Sequence, residues 1–354
     1  MDDTPNSRQA TGRVRITQLD GLRGIAIAMV FVYHAYAVPG LWMGVDLFFV
    51  LSGFLITGIL FNQKNKSFGS YIRHFYARRA RRILPPYVVV LIITGLIFGF
   101  GFLHHWYMYF GLMNFQGTTA LPAGPKYLPL WSLAVEEQFY FVWPLVVFLL
   151  SRRQLVGCVC GLIVLAPVLR FFCTPLFSDP GPIYQWLPFR MDTLAMGALI
   201  ALVWPKLKAK MEVLPKLRHG VAVAGVAVIF AGFGVLMAMH HYGYKLTANT
   251  RAGNTAEYSV VVAVMGSALL LALLGVGKRI LDLWPLVWLG RISFSFYLIH
   301  LTVLHFVPWH SPLIALAVSL AYCVAMWFAV EKPLTDPGQN REKVLVPLRN
   351  VPFR

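Results

Sequence analysis

The 354-residue sequence predicts an all-α fold, a polytopic membrane bundle of about ten transmembrane helices with both termini cytoplasmic. Three observations predict it. Hydrophobic residues make up 58% of the chain and charged residues 13%, against roughly 45–50% and 25% in soluble domains. Apolar runs recur at about 17 to 20 residues, the helical length that crosses a ~30 Å hydrocarbon core. Short basic clusters separate these runs, and 31 Lys and Arg against 14 Asp and Glu leave a formal charge of +17. Such an excess on a soluble face would suggest nucleic acid. Interleaved with apolar runs it suggests topology instead, so no nucleic-acid partner is expected.

Taken in order, residues 1–14 are a polar cytoplasmic leader. It has no short apolar core followed by a small-residue cleavage site, so no removable signal is expected and the first apolar segment should stay in the protein. Spans are predicted at 20–38, 44–61, 86–103, 131–150, 154–173, 188–204, 220–239, 258–276, 285–308 and 312–330. The aromatic stretch 104–115 is a shorter interfacial or re-entrant piece. Neither an internal repeat nor a Gly/Ser or Pro linker divides the chain. Residues 15–332 therefore form one membrane domain, and 333–354 a short cytoplasmic tail. Cys158, Cys160, Cys173 and Cys323 lack paired metal or redox spacing and are read as small core hydrophobes.

Orientation follows from the basic residues, because cytoplasmic loops retain Lys and Arg. With the N-terminus cytoplasmic, 26 of the 31 fall on the inner side, leaving Lys126, Arg170, Arg190, Lys245 and Arg251 in outer loops or near outer helix ends. The expected location is a bacterial-type inner membrane.

Titratable side chains inside spans are costly and are functional candidates by default. Arg23 and His34 lie eleven residues apart, ~1100° of helical rotation, which puts them on one face ~16 Å apart along the axis. His34 reads either as a packing histidine or as a functional one. Asp46, Glu136, Glu137, Arg190 and Asp192 begin helices that descend from the outside and are expected in the same outer layer as His34. A structural network could account for that layer, Arg190 and Asp192 being its natural members. A buried histidine beside a carboxylate is also what general-base chemistry needs. On the inner side, SYIRHFYARRARRILPPY sets Arg78, Arg79, Arg81 and Arg82 before a Pro-Pro helix start, on a segment expected to lie against the membrane. These arginines read as positive-inside signal and lipid contact, or as bidentate phosphate partners. His300 falls near mid-membrane and His305 near an interface, and the aromatics of HHWYMYF and HHYGY suit an interface belt or sugar stacking.

The motifs LDGLRGIAIAMVFVYH, GVDLFFVLSGFLIT, FYARRARRILP, LWSLAVEEQFYFVWP and ISFSFYLIHLTV, in this order, resemble the acyltransferase-3 family of integral membrane acyltransferases, whose members mostly O-acetylate extracytoplasmic glycans. The resemblance covers residues 15 to 332. It implies that Arg23 and His34 are the family's essential arginine and histidine, Arg79 and Arg82 its cytoplasmic arginine pair, and Glu136 its fourth-helix glutamate. Asp46 and Ser52 take recurrent positions of the second-helix motif. The implied donor is acetyl-CoA or another acyl-CoA, used as co-substrate, with no permanently bound cofactor and no metal. Some relatives add an SGNH hydrolase-like domain. None follows here, so transfer is expected to finish in or at the membrane domain.

Spacing and resemblance together suggest a mechanism. Arg79 and Arg82, with Arg78 and Arg23, hold the phosphates of acyl-CoA while its pantetheine arm runs along the first helix. His34 acts as general base on a glycan hydroxyl that attacks the thioester directly, with Glu136 or Asp46 orienting the imidazole. Ser52, Glu137, Arg190, Asp192 and His300 support the site. A two-step route through His34 or Ser52 ranks below direct transfer, because Ser52 has no evident base in its own segment. The acceptor stays open among O-antigen (lipopolysaccharide), exopolysaccharide, peptidoglycan and small glycosides, and membrane lipids are the remaining partners. The competing class is a transporter that couples ions or protons through the His and carboxylate layer, and a third is a structural scaffold.

Overall fold

The computed structural model describes residues 16–117, 125–243, 248–307 and 311–335. The leader 1–14, Lys245 and nearly all of the tail 333–354 lie outside them. Among the described residues the chain is helical, with no strand.

Helix α1 spans Thr17–Tyr36, and a short 3₁₀ turn, Leu41–Met43, leads into α2, Gly44–Gln63. The third helix, α3, runs unbroken over Phe68–Phe98. It contains both the arginine run and Pro85–Pro86, so the prolines do not start a helix as expected. At 31 residues, ~46 Å, α3 is long enough to cross the hydrocarbon and carry its arginine turns beyond it. Three 3₁₀ turns then occupy Phe100–His104, Trp106–Met108 and Met113–Phe115, too short to span, in keeping with an interfacial reading of that stretch.

The helices α4 (Leu130–Leu149), α5 (Arg152–Cys173), α7 (Leu187–Val213), α8 (Pro215–His241) and α9 (Arg251–Leu273) match predicted spans, and α6 (Gly181–Gln185) is a single short turn before α7. After the one-turn α10 (Lys278–Leu281), the ninth span is broken. Its halves α11 (Trp284–Arg291) and α12 (Ser293–Phe306) meet at 78°. Helix α13 (Pro312–Met326) passes through a π turn at Trp327–Glu331 into α14 (Lys332–Thr335).

Eight helices among the described residues are long and apolar enough to cross a membrane, or nine with the bent pair. The expectation of about ten exceeds this count because of α1. It is 20 residues long, but Gln18, Asp20 and Arg23 lower its hydropathy. Its polar face is instead turned into protein: Thr17 and Gln18 donate hydrogen bonds to Asp282, and Arg23 to Ser293 on α12. The cysteines also depart from expectation. Only Cys323 is buried, and Cys160 is exposed.

Two backbone-to-backbone contacts set the bundle. A Cβ on Gly53 would stand 1.9 Å from the Leu194 carbonyl oxygen, and one on Gly197 would stand 1.9 Å from that of Val50, so α2 and α7 touch reciprocally through glycine. In the same way a Cβ on Gly24 would meet Leu286 O at 2.2 Å and one on Gly290 would meet Asp20 O at 1.8 Å, joining α1 to α11. Lipid tails are as apolar as leucine, so helices associate through such close packing rather than through a hydrophobic drive. Between α2 and α4, Trp143 donates its Nε1–H to Thr57 at 2.8 Å. Tyr71 and Tyr76 of α3 donate to the α4 carbonyls of Pro144 (3.0 Å) and Tyr140 (3.2 Å), which fixes the arginine-bearing turns of α3 beside α4.

Gly53→Ala or Gly197→Ala is expected to destabilise the protein by about 1–3 kcal/mol or more, because backbone must move to admit a methyl group. Gly157→Ala and Gly161→Ala, where a Cβ meets nothing within 4 Å, should change stability by no more than about 0.5 kcal/mol. Thermal unfolding in detergent, followed by circular dichroism, compares the four.

Candidate active site

The polar residues expected in one outer layer separate into three groups. The first is an ion-pair core. Arg190 on α7 bonds Asp46 on α2 at 2.5 Å, and Arg170 on α5 bonds Asp192 on α7 at 2.6 Å, all four side chains at most 2% exposed. Thr193 also donates to Asp46, at 3.3 Å. Arg190 lies over the rings of Tyr258 at 4.5 Å and Tyr184 at 5.3 Å, within cation–π range. Asp46 is therefore held by Arg190 and Thr193 rather than by an imidazole. The sequence neighbours Arg190 and Asp192 each pair with a different helix. Arg170, read from sequence only as an outer basic residue, is fully buried.

The second group is a histidine pair. His300 Nδ1 lies 2.6 Å from the Tyr297 carbonyl oxygen and must donate to it, which leaves His300 Nε2 as an acceptor for neutral imidazole. His34 Nδ1 stands 3.2 Å from that Nε2 and 2.9 Å from Val30 O, so its proton is shared between them. The lone pair of His34 is thereby directed to Nε2. His300 is fully buried, while His34 is exposed. The Val30 carbonyl, the nearer acceptor, and His300 together fix the His34 tautomer, and neither Glu136 nor Asp46 occupies that position.

The third group lines a cavity of about 700 Å³, its open mouth included. Ser52 on α2 donates its hydroxyl to Glu136 Oε1 at 2.5 Å, and Tyr140, one helical turn beyond Glu136, donates to Oε2 at 3.0 Å. Arg79 lies over the Tyr140 ring at 4.8 Å. Arg23, bonded to the Ser293 hydroxyl at 3.1 Å, lines the same cavity, as do Arg79 and Arg82, which share a helix face at i, i+3 spacing. Arg78 is half-buried and is not among the cavity-lining side chains. Because Ser52 follows Asp46 by six residues, Glu136 sits ~9 Å deeper along α2 than Asp46. Glu137, one residue on, is turned away from the cavity: its carboxylate lies 3.0 Å from where a Gly111 Cβ would stand.

Tyr297 borders both chemical groups. It lines the cavity and bonds the Ser132 hydroxyl, and its ring centroid lies 5.6 Å from that of His300. Sequence reasoning passed over Tyr140, Ser132, Ser293 and Tyr297. The i, i+4 relation of Tyr140 to Glu136 was a usable signal, whereas the other three meet the site only through tertiary packing.

A cavity lined by arginines together with a hydrogen-bonded hydroxyl and carboxylate can hold an anionic group and handle a proton. A family profile described as an acyltransferase domain matches residues 16–330. The chain belongs to the acyltransferase-3 family. This family chain is 30% identical over 327 residues to the putative peptidoglycan O-acetyltransferase YrhL of Bacillus subtilis, covering 85% of this chain and 49% of that protein. It is 30% identical over 332 residues to the peptidoglycan O-acetyltransferase OatA of Listeria monocytogenes, with 86% and 50% covered. The O-acetyltransferase OatA of Staphylococcus aureus is 28% identical over 324 residues, with 82% and 50% covered. The chain thus spans about half the length of the curated relatives it matches. No solved structure matches it.

The ion pairs and the histidines should respond differently to mutation. Arg190→Met leaves Asp46 a buried unpaired carboxylate and is expected to cost about 3–5 kcal/mol, most of it recovered in Asp46→Leu/Arg190→Met. His34→Ala, at an exposed position, should leave the melting temperature nearly unchanged. A melting curve for each variant that showed equal losses would contradict this division.

Proposed function

We propose that this protein is an integral membrane O-acyltransferase that moves an acyl group, acetyl by preference, from acyl-CoA to a hydroxyl of a cell-envelope glycan. The observation that carries the reading is the cavity that Arg23, Arg79 and Arg82 line together with the Ser52–Glu136–Tyr140 cluster, with Tyr297 joining its wall to the His34–His300 pair. Guanidinium groups bind phosphates bidentately and keep their charge, so the arginine end suits the nucleotide part of the donor. The positive-inside distribution supports a cytoplasmic position for these arginines, the side on which acyl-CoA is found, with both termini on the same side of a bacterial-type inner membrane. The names of the relatives point to peptidoglycan as the acceptor class.

His34 takes the proton of the acceptor hydroxyl at Nε2. A sugar hydroxyl attacks a carbonyl poorly while it keeps its proton, and a positioned base contributes typically 10²–10⁴-fold. The Val30 carbonyl and His300 hold the reactive tautomer by accepting the Nδ1 proton, the role a carboxylate plays in many other histidine sites. The exposed edge of His34 is where an acceptor approaches from the extracytoplasmic side.

Two measurements test the reading. His34→Ala should lower O-acetyl content of the envelope glycan by at least ~10²-fold at equal expression. Full O-acetylation by that variant would remove His34 from the chemistry. Acetyl-CoA should raise the melting temperature of the purified protein, and Arg79→Ala/Arg82→Ala should abolish the rise. A transporter that couples ions through the same residues predicts no response to acetyl-CoA in either protein.

A further inference from the structure

Ser52 has what its own segment lacked. The Glu136 carboxylate from α4 accepts its hydroxyl proton at 2.5 Å, and Tyr140 holds the other carboxylate oxygen at 3.0 Å. A nucleophile bonded to a base that is oriented by a third group is the arrangement by which enzymes activate a hydroxyl for covalent catalysis. All three side chains line the cavity that also contains Arg23, Arg79 and Arg82, whereas His34 and His300 do not line it. A donor whose phosphates sit on the arginines therefore meets Ser52 before it meets His34.

We propose that Ser52 carries the acyl group as an oxyester between donor and acceptor. This rests on the acyl-CoA-dependent reading above and reverses the direct transfer that the sequence favoured. In the first half-reaction Ser52 Oγ bonds the thioester carbonyl carbon and gives its proton to Glu136. The carbon–sulfur bond breaks, and CoA leaves as a thiolate that takes a proton from water. In the second, the acceptor oxygen bonds the same carbonyl carbon and gives its proton to His34. The Ser52 oxygen–carbon bond then breaks, and Glu136 returns its proton to Ser52. His34 releases its proton to solvent through its exposed edge. The sum is one thioester and one hydroxyl converted to one ester and one thiol.

A Ser–Glu hydrogen bond can also serve only to hold α2 against α4. The test has a readout that such a bond does not move. Purified full-length protein in detergent is mixed with acetyl-CoA labelled in its acetyl carbon, without glycan, quenched in acid on the millisecond-to-second scale, and digested for mass spectrometry. A stable acetyl label on the peptide bearing Ser52 is expected, absent from Ser52→Ala, slowed at least 10-fold in Glu136→Gln and retained in His34→Ala. Ser52→Cys should convert the label from an oxyester to a thioester cleaved by neutral hydroxylamine, a change that a merely structural serine cannot produce. Absence of label from Ser52 in protein that O-acetylates glycan in cells would overturn the proposal, as would a label on His34 or wild-type glycan acetylation by Ser52→Ala. Each of those outcomes leaves the acyltransferase reading standing. That reading fails separately if wild-type protein neither binds acetyl-CoA nor acetylates glycan.

Discussion

A charge inside an apolar bundle needs either an opposite charge at hydrogen-bond distance or an opening to water, and this constraint sorts the ionisable residues of the protein. Arg170, Arg190, Asp46 and Asp192 take the first solution. They form two ion pairs that tie α2, α5 and α7 together, with the Tyr258 ring lying against both guanidinium groups. Arg23, Arg79, Arg82 and Glu136 take the second and line a cavity. The first set is committed to structure, because each charge meets an opposite one inside the protein, although Asp46 Oδ2, Arg170 Nε and Arg190 Nε and Nη1 have no hydrogen-bond partner. The second keeps donors and a carboxylate facing open space, where a substrate can complete them.

Close helix packing makes this sorting possible. The α2–α7 contact at Gly53 and Gly197 brings the backbones together one to two turns from the Asp46–Arg190 pair, so the ion pair closes without long side chains having to bridge a gap. At α1, contacts through Gly24 and Gly290 bring α11 against the more polar half of the helix. The 78° break after α11 then sends α12 alongside, where Ser293 meets Arg23 and His300 meets His34. Helix α12 alone carries both contacts, Ser293 to Arg23 and His300 to His34. The break leaves α11 packed on the start of α1 through Gly24 and Gly290 while α12 takes the arginine and the histidine.

Between Arg23 and His34 lies a rise of ~16 Å, and the proposed acyl transfer through Ser52 would divide the chemistry into two steps. In the proposed reaction donor and acceptor are bulky and approach from opposite faces of the bundle. A covalent station shortens what must be shared between them to a two-carbon group. In that proposal two bases divide the proton traffic, Glu136 on the donor side and His34 on the acceptor side.

Read alone, the sequence determined the all-α membrane class, most helix bounds to within a few residues, and the identities of Arg23, His34, Arg79, Arg82 and Glu136 as candidates. These are legible because hydropathy runs, helical phase and local motifs are properties of contiguous residues. Which of those candidates touch was decided only by tertiary structure. Asp46, Glu136 and His34 lie at similar predicted depths, yet their side chains point to Arg190, Ser52 and His300, partners 144, 84 and 266 residues away. Depth along a helix can be counted from the sequence, but the rotation and neighbour of each helix depend on how glycine contacts and buried ion pairs lock the whole bundle. The same holds for α1, whose hydropathy is too low for a free-standing span and whose polar face is explained only by the α11–α12 break that covers it.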